Sequence, residues 1–485
     1  MKIFRKLLDT KVSTSYMFIL FGVSALMLAG YFSYAWFTIQ GVQQYSVVTG
    51  TLNGTVAIGS NSATINEIGI ITYTPSTDND TITLTVTNTN DRTVKNAIYY
   101  YNLTDTFIEI GYTSDSPTVP TTQGVSVAQN KTLTYKIKIK NAKGKQIKIG
   151  SSMGLNNSNL TLPSGTTAFS LLSDPTGAET LVAKANPEDL DYNTATADQK
   201  NQMWTFSHEA TEQLGATTDY RYIGADPNNY VKFNDEIWRI IGVFDVDDGT
   251  GKMEKRMKII RNESIGNYAW DYTSSGTYTN EWSTAQLKTL LNSGAYYNRT
   301  TGSYYNGNTT SSSVDFTTTG LTDNAKEMIG DAKWYLGGTA NYNSSSDGLA
   351  SHFYGYERGT TVYSEHSISW TGKVGLIYPS DYGYATSGDS TTSRTTCLAK
   401  EMFIWSNSSY SDCKNNDWLF KSDYMWTIFP LSSYSDPVFY VNKGGAVSIN
   451  FPGFYGAWPV VHLKSTIKVT SGTGSSTDPF ILAES

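Results

Sequence analysis

The sequence predicts three successive parts: a membrane-spanning helix, an all-β sandwich and an α+β domain. An uncharged apolar run covers residues 16–39, short stretches of alternating apolar and polar residues fill residues 42–172, and strand and helix patterns both occur in residues 220–485. Alternation with a period of two indicates half-buried strands, whereas apolar residues three and four apart indicate helices. A chain of 485 residues is long enough for two or three packed domains, because single cores rarely grow beyond about 250 to 300 residues.

The apolar run predicts a membrane anchor preceded by a basic tail, residues 1–15. The tail carries four cations and one carboxylate, and no further charged residue occurs before Glu67. As a helix, the 24 residues of the run would cover about 36 Å, more than the hydrocarbon thickness of a bilayer. The positive charge on its N-terminal side predicts a cytoplasmic N-terminus. We therefore expect a single-pass protein of the cell membrane with an extracellular ectodomain.

A signal peptide that is removed after export is the alternative for the same run. Ser33 and Ala35 are small residues at the spacing of a signal-peptidase site. The run is longer than a usual signal core, and Tyr31, Trp36 and Phe37 are typical of an aromatic belt at the membrane interface. We expect the segment to be retained as an anchor.

Residues 42–172 have the pattern of an antiparallel sandwich. In residues 81–87, Ile82, Leu84 and Val86 alternate with threonines, and an Asn-rich turn follows. Residues 133–140 repeat the alternation with lysines on the polar face. About six or seven such strands predict two packed sheets. Residues 173–219 lose this pattern and contain Pro, Asp and Asn breakers, which predicts a connector.

Strand patterns return after residue 220. Residues 231–243 and 255–260 are rich in β-branched and aromatic side chains, and the intervening Asp-Asp-Gly-Thr-Gly sequence predicts a hairpin turn. Two helices are predicted next, in residues 283–294 and 321–330. In the first, Ser283 and Gln286 have the spacing of a capping box. The remaining segments predict short strands and turns around an aromatic core.

The two cysteines, Cys397 and Cys413, are expected to form a disulfide bond. They enclose 15 residues and follow an export signal, which places them in an oxidising compartment. Neither a CxxC spacing nor neighbouring histidines support a redox dithiol or a metal pair. Closing a loop of this length stabilises the fold by about 3 kcal/mol in the chain-entropy model.

The first part of the ectodomain resembles immunoglobulin-like domains of bacterial surface proteins. The segments TVTNTN and KIKIKNAKGKQIKIG occur where those domains have paired strands that end in Asn-containing turns. The preceding sequence GYFSYAWFT is similar to exported biofilm-fibre and camelysin-type proteins. The resemblance implies an immunoglobulin-like sandwich at residues 42–172.

Residues 220–482 resemble an uncharacterised domain family common in surface proteins of gut Firmicutes and related wall-less bacteria. The resemblance is carried, in this order, by the motifs Trp238-Arg239-Ile240-Ile241, Trp282-Ser283, Leu290-Leu291-Asn292, Trp418-Leu419-Phe420, Val438-Phe439-Tyr440-Val441 and Pro459-Val460-Val461-His462-Leu463. That family is distantly similar to C-type-lectin-like and formylglycine-generating-enzyme-type folds, which implies a C-type-lectin-like head. The chain departs from the family at Phe420 and Trp458, where the family often has arginines suited to anions.

No motif predicts an enzyme. The four histidines form no zinc-binding motif, no G-x-S-x-G sequence is present, and the two cysteines are too far apart to resemble the reactive pair of formylglycine-type oxidases. A net charge of -7 argues against a nucleic-acid partner, which normally requires a basic face. We expect no catalytic residue, no metal and no cofactor. A glycosidase or protein-modifying enzyme is the third alternative, because two carboxylates can come from any part of a fold.

Aromatic and amide side chains are concentrated between residues 424 and 458, where we predict a ligand-binding site. The candidates are Trp426, Tyr434, Asp436, Asn442, Phe454 and Tyr455. Aromatic rings stack on sugars or anchor protein interfaces, and Asn and Asp pair with hydroxyl groups. The alternative for each tryptophan is a place in the core, whereas Phe454 and Tyr455 lie in a predicted turn.

Export and the absence of a catalytic motif together predict an adhesion or recognition protein. Its distal domain would bind an extracellular glycan or protein. A structural subunit of a surface fibre or layer, in which strand edges pair between copies, is the alternative.

Overall fold

The computed structural model describes residues 42–49, 52–60, 63–65, 69–77, 79–104, 108–113, 116, 124–155, 160–172, 175–451 and 453–484. The predicted tail and anchor, residues 1–15 and 16–39, lie outside these ranges. Within them, every helix is too short or too polar to cross a bilayer. The chain is mostly β-sheet and divides into two compact units, Met1–Asp174 and Pro175–Ser485.

The described part of the first unit is all-β. Its strands are β1 (Val42–Thr49), β2 (Leu52–Gly59), β3 (Ala63–Ile65), β4 (Ile71–Tyr73), β5 (Asn79–Asn88), β6 (Val94–Tyr101), β7 (Glu109–Tyr112), β8 (Val125–Val127), β9 (Thr132–Lys140), β10 (Ile147–Leu155), β11 (Thr166–Ala168) and β12 (Ser170–Leu171). One sheet has the order β1-β2-β5-β9-β7-β12, and the other has the order β11-β6-β10-β4-β3 with β8 beside β6. The pairing is antiparallel except between β7 and β12.

Both sheets of the first unit contribute to one buried cluster. Ile82, Leu84 and Val86 of β5 are buried, as their alternation predicts. Tyr135 of β9 pairs with Leu84, and its hydroxyl donates to Asn96 Oδ1 of the other sheet at 2.8 Å. This buried hydrogen bond joins the two sheets.

The second unit combines many short strands with short helices. The strands are β13 (Trp204–His208), β14 (Thr217–Arg221), β15 (Tyr230–Phe233), β16 (Glu236–Asp247), β17 (Met253–Arg261), β18 (Asn267–Ala269), β19 (Thr301–Tyr304), β20 (Ser312–Asp315), β21 (Ala332–Tyr335), β22 (Ser369–Gly372), β23 (Val374–Gly375), β24 (Met425–Pro430), β25 (Val438–Val441), β26 (Val447–Asn450), β27 (Phe454–Gly456), β28 (Val460–His462), β29 (Lys468–Ser471) and β30 (Phe480–Ala483). The α-helices are α1 (Gly177–Val182), α2 (Ala197–Lys200), α3 (Gln286–Asn292), α4 (Ala295–Asn298), α5 (Asp323–Met328), α6 (Ala350–Glu357), α7 (Pro379–Ala385), α8 (Arg394–Leu398) and α9 (Ser411–Asn415). Two 3₁₀ turns occupy Met402–Ile404 and Ser408–Tyr410.

The largest sheet of this unit is built on the predicted hairpin of β16 and β17. Its order is β23-β28-β17-β16-β15-β30-β29, and β14 pairs with both β13 and β16. The turn forms as expected, because Asp247 Oδ1 accepts hydrogen bonds from the backbone N–H groups of Gly249 and Gly251, both at 2.9 Å. A separate sheet has the order β18-β27-β24-β25-β26 and contains three of the six predicted binding residues, Trp426, Phe454 and Tyr455.

The prediction that residues 173–219 form a connector is wrong for most of this segment. Residues 175–219 belong to the second unit, where β13 and β14 pair and where Leu181, Met203 and Trp204 are buried in the main core. The polar residues that suggested a linker instead cap short helices. Thr176 and Thr196 each form a capping box at the start of α1 and α2.

The predicted capping box at Ser283 and Gln286 is also wrong. Helix α3 begins after Ala285, without a side-chain cap from that residue. Asp271 instead reaches the helix from an earlier loop, and its Oδ1 accepts from the backbone N–H of Gln286 at 2.9 Å. The Ser283 hydroxyl donates to Glu281. The apolar stripe is buried as predicted, at Leu287, Leu290 and Leu291.

The predicted disulfide bond between Cys397 and Cys413 is present and joins α8 to α9. The enclosed loop contains Trp405, which is fully buried and packs against Tyr382 with ring centroids 5.4 Å apart. The bond therefore closes a loop that contributes a large side chain to the core.

We expect Cys397→Ser to lower the free energy of unfolding of the second unit by about 2 to 4 kcal/mol, because the unfolded chain regains the entropy of the open loop. Ten of the eleven tryptophans lie in this unit, so tryptophan fluorescence during urea unfolding reports on it. Cys397→Ser/Cys413→Ser should cost about as much as either single change, since both remove the same bond. Free thiols in non-reducing mass spectrometry of the wild type would contradict the assignment.

Candidate ligand-binding site

Four aromatic rings gather on the five-stranded sheet, and we call Tyr424, Trp426, Tyr440 and Tyr455 the tyrosine face. Their strands β27, β24 and β25 are neighbours, and Trp426 is directly opposite Tyr440. The Tyr455 ring lies 4.7 Å from Tyr424 and is nearly parallel to it, at 18°. Its centroid is 4.6 Å from both Trp426 and Tyr440. Tyr455 is therefore the centre of the cluster.

The rings differ in how much of each reaches solvent. Trp426 is buried and forms the floor, with Nε1 donating to the carbonyl of Tyr268 at 2.8 Å. The tyrosines are half-buried. Burial raises the pKa of Tyr440, so this phenol stays protonated and can donate a hydrogen bond at neutral pH.

Polar groups border the tyrosine face. The side-chain amide of Asn450 donates to the hydroxyl of Tyr455. Lys443 Nζ lies 5.2 Å from the centre of the Tyr424 ring and 3.6 Å from Asp423 Oδ1. The face thus combines stacked rings with donors and acceptors, which is the combination that recognises a polyhydroxylated molecule.

Exposed aromatic side chains occur in the adjoining loops. The exposed fractions are 38% for Tyr278, 64% for Tyr434, 56% for Phe451 and 47% for Phe454. The rings of Tyr278 and Phe451 are 6.3 Å apart. Phe451 directly follows Asn450 in the chain. Clustered exposed apolar groups are typical of interaction sites.

The structure separates the six predicted residues into four groups. Trp426 and Tyr455 meet in the tyrosine face, whereas Phe454 lies on the opposite face of β27 because successive strand residues alternate. Asn442 shapes a turn, in which its Oδ1 accepts from the N–H groups of Gly444 and Ala446. The other two lie in the loop between β24 and β25, Tyr434 exposed and Asp436 partly buried.

The sequence prediction missed Tyr424 and Tyr440. Tyr424 is two residues before Trp426, a spacing that places both on the same face of an extended segment. Tyr440 is at the third position of the short strand β25. The alternation around Trp426 could have identified Tyr424, but no local pattern shows which strands are neighbours.

A buried charged cluster was also missed, consisting of Asp219, Arg221, Lys258, Glu357, Arg358 and Asp381. All six residues are at most 6% exposed. Arg221 joins two carboxylates, with Nη2 2.8 Å from Asp219 Oδ2 and Nη1 3.1 Å from Asp381 Oδ1. Lys258 Nζ lies 2.5 Å from the second oxygen of Asp381. These charges come from β14, β17, α6 and α7, so no sequence spacing indicates the cluster.

The carboxylates of the cluster differ in protonation. Burial opposes the ionisation of Asp219, but Arg221, His208 and Arg358 together outweigh it and hold the pKa at about 2. Burial raises the pKa of Glu357 to about 7. Glu357 accepts from Ser380 N at 2.8 Å, from Ser380 Oγ at 2.6 Å and from Arg358 Nη1 at 2.9 Å. At neutral pH, Glu357 therefore exchanges between its protonated and ionised forms.

Among the described residues, the four histidines do not form a zinc site. His462 is buried, as expected for a strand residue, but its Nδ1 has no hydrogen-bond partner. His208 stacks on Tyr354 with ring centroids 3.7 Å apart, and its Nε2 lies 3.1 Å from Asp219 Oδ2. Within the described ranges, no group of three or more His, Cys, Asp or Glu side chains is arranged to hold a metal ion.

Comparison with known proteins does not assign the chain to a family. No family model matches the sequence, and no curated protein or solved structure matches it significantly. Arguments about function therefore depend on the chemistry of the two sites described above.

We expect Glu357→Gln to change how stability depends on pH. The pKa of this carboxyl is about 4.5 when exposed and about 7 in the fold. The folded state therefore holds the proton more tightly, and the wild type loses stability relative to the variant as pH rises through this window. The loss should total roughly 3 kcal/mol.

Urea unfolding at pH 4.5 and pH 7.5 measures this difference. Burial lowers the pKa of both His208 and His462, which adds stability with rising pH, but the contribution is common to both proteins. Glu327→Gln, at an exposed position of α5, is the matched control. Parallel pH dependence of wild type and Glu357→Gln would contradict the buried, proton-holding carboxyl.

Proposed function

We propose that this chain is a membrane-anchored cell-surface protein of the adhesion or recognition type. Its second unit would bind an extracellular glycan or protein, and its first unit would be an immunoglobulin-like sandwich. The proposal includes a C-type-lectin-like fold for the second unit. The observation that carries it is the tyrosine face, an open aromatic surface bordered by amide, hydroxyl and charged groups.

The chemistry of the tyrosine face favours a glycan. Tyr424 and Tyr455 stack on each other, so the apolar face of a sugar ring would pack on the part of these half-buried rings that reaches solvent. The hydroxyl groups of the sugar would then meet Asn450, Lys443 and the phenol groups. Tyrosine supplies large contact area at little entropic cost because it has only two side-chain torsions. A half-buried platform of this kind is already ordered before the ligand arrives.

One observation favours the structural-subunit alternative. Strand β1 is at the edge of its sheet and pairs on one side with β2. Charged residues and prolines in an edge strand commonly prevent strand addition. The eight residues of β1 include neither. A second copy could pair with this edge.

A glycan and protein array probed with the purified chain tests the recognition proposal. We expect Tyr455→Ala to weaken binding about tenfold or more, because it removes the central ring of the site. Phe403→Ala removes an aromatic ring that is 39% exposed and lies outside the tyrosine face, and it should leave binding unchanged. An unaltered melting temperature would show that Tyr455→Ala is folded. Equal binding by both variants would remove the support for this site.

Electron microscopy and light scattering of the full chain test the alternative. If β1 joins copies, the wild type forms filaments and Gln44→Lys, which adds a charge to the edge strand, remains monomeric. A wild type that stays monomeric at high concentration contradicts the subunit model.

A further inference from the structure

A small cavity lies beside the charged cluster, apart from the tyrosine face. Its accessible volume is about 30 Å³, which suits a carboxylate group or one or two water molecules. The residues that carry the argument line its wall: Asp219, Lys258, Tyr335, Arg358, Tyr378 and His462. The cavity therefore places cations, phenols and an imidazole around one small space.

Arg358 has unused hydrogen-bonding capacity in this wall. Its guanidinium makes both of its hydrogen bonds through Nη1, to the carbonyl of Tyr354 at 3.2 Å and to Glu357 at 2.9 Å. Nε has no partner. The guanidinium carbon lies 3.6 Å from the centre of the Tyr354 ring and 5.5 Å from that of Tyr378. These rings hold the group in place without using its donors.

Two other side chains have unfilled hydrogen-bonding positions. Lys258 Nζ has a single hydrogen-bond partner, Asp381, although an ammonium carries three donors. His462 Nδ1 has none. Burial lowers the pKa of His462, so its imidazole is neutral. Buried polar atoms without partners are costly in a fold, and two of them, Arg358 Nε and His462 Nδ1, belong to residues that line this cavity.

The charge balance of the cluster favours an anion. Arg221, Arg358 and Lys258, whose pKa burial lowers, face two ionised carboxylates, because cationic neighbours lower the pKa of Asp381 against the effect of its burial, as for Asp219. Glu357 adds a negative charge only when it ionises. At neutral pH and below, one positive charge is therefore not fully balanced, and an unbalanced buried charge is unfavourable.

The cavity mouth is also suited to a negative group. Lys333 lines it and is partly exposed. The carboxylate of Asp245 lines it as well, but it is paired with Lys255 Nζ at 2.9 Å. An approaching anion thus meets Lys333, whose Nζ lies 5.3 Å from the centre of the Tyr335 ring, and a neutralised pair.

We propose that this cavity binds the carboxylate of a small acidic ligand, with Arg358 and Lys258 as its cationic partners. A planar monoanion matches both the single surplus charge and the small volume, whereas a phosphate or sulfate is larger and carries more charge. Only the carboxylate enters, so the remainder of the ligand lies outside the mouth. Both a free short-chain acid and a uronic acid at the end of a glycan present this group. The inference is independent of the tyrosine face.

Isothermal titration calorimetry of the full chain with sodium acetate, sodium glucuronate, sodium sulfate and glucose tests the proposal. We expect both carboxylates to bind and to compete with each other, and sulfate and glucose not to bind. Tighter binding of glucuronate identifies an acidic sugar as the source, and equal affinities identify a free short-chain acid. Absence of carboxylate binding at about 50 mM, on the order of the dissociation constant of a very weak site, overturns the proposal. Equal binding of glucose also overturns it.

Variants connect the binding to this cavity. Arg358→Lys keeps the positive charge but removes the planar guanidinium group, which can donate two parallel hydrogen bonds to a carboxylate. This change should weaken carboxylate binding more than tenfold. Lys333→Gln at the mouth, where folding is not at risk, should weaken it about threefold. Lys232→Gln, at an exposed site on β15, is the matched control. Tyr455→Ala should leave acetate binding intact, which separates this site from the tyrosine face. Unchanged affinity in both Arg358→Lys and Lys333→Gln would place the binding elsewhere.

Discussion

The buried carboxylate of Asp381 is the interaction on which the second unit depends. It accepts from Arg221 on β14, from Lys258 on β17 and from the backbone N–H of Tyr378 at 2.9 Å. Two strands of the large sheet and helix α7 therefore meet at one residue. Loss of one partner of such a pair leaves an uncompensated buried charge, which typically lowers the free energy of unfolding by about 3 to 5 kcal/mol. This pairing fixes where α7 packs against the large sheet.

Helix α7 in turn positions the five-stranded sheet. The backbone N–H of Ile428 donates to Ile377 just before the helix at 3.0 Å. Within the helix, the hydroxyl of Tyr382 donates to the carbonyl of Gly445 at 2.7 Å, in the turn between β25 and β26. Trp426 and Tyr440 belong to the strands held in this way. The tyrosine face and the charged cluster are therefore connected through one short helix, although their chemistry differs.

The two sites also differ in what keeps them in place. The tyrosine face is held by ring packing and a few hydrogen bonds, and its three tyrosines are half-buried. The charged cluster is held by ion pairs in the interior, where weak screening strengthens both attraction and the cost of an unpaired group. A surface of the first kind suits a ligand with many hydroxyl groups. The cavity beside the charged cluster suits a single charged group that pairs with the unbalanced buried charge.

Local patterns in the sequence were sufficient to predict the elements that interactions between nearby residues determine. Alternation identified the buried faces of β5 and β9, the Asp-Gly turn identified the β16–β17 hairpin, and the two cysteines predicted their own bond. The same reasoning failed at the start of α3, because the cap comes from Asp271 in an earlier loop. It also failed for residues 175–219, where polar residues cap short helices inside a packed unit.

The sites themselves required tertiary structure. Tyr424 and Trp426 share a face by their spacing, yet only sheet order brings Tyr440 and Tyr455 beside them. Arg221 and Asp381 are 160 residues apart, and no sequence spacing relates them. The sequence alone determined the buried faces of β5 and β9, the β16–β17 hairpin and the pairing of the two cysteines, because those outcomes follow from short-range patterns and a single pair of thiols. Tertiary structure decided which rings stack and which charges pair, because both depend on contacts between strands and helices far apart in the chain.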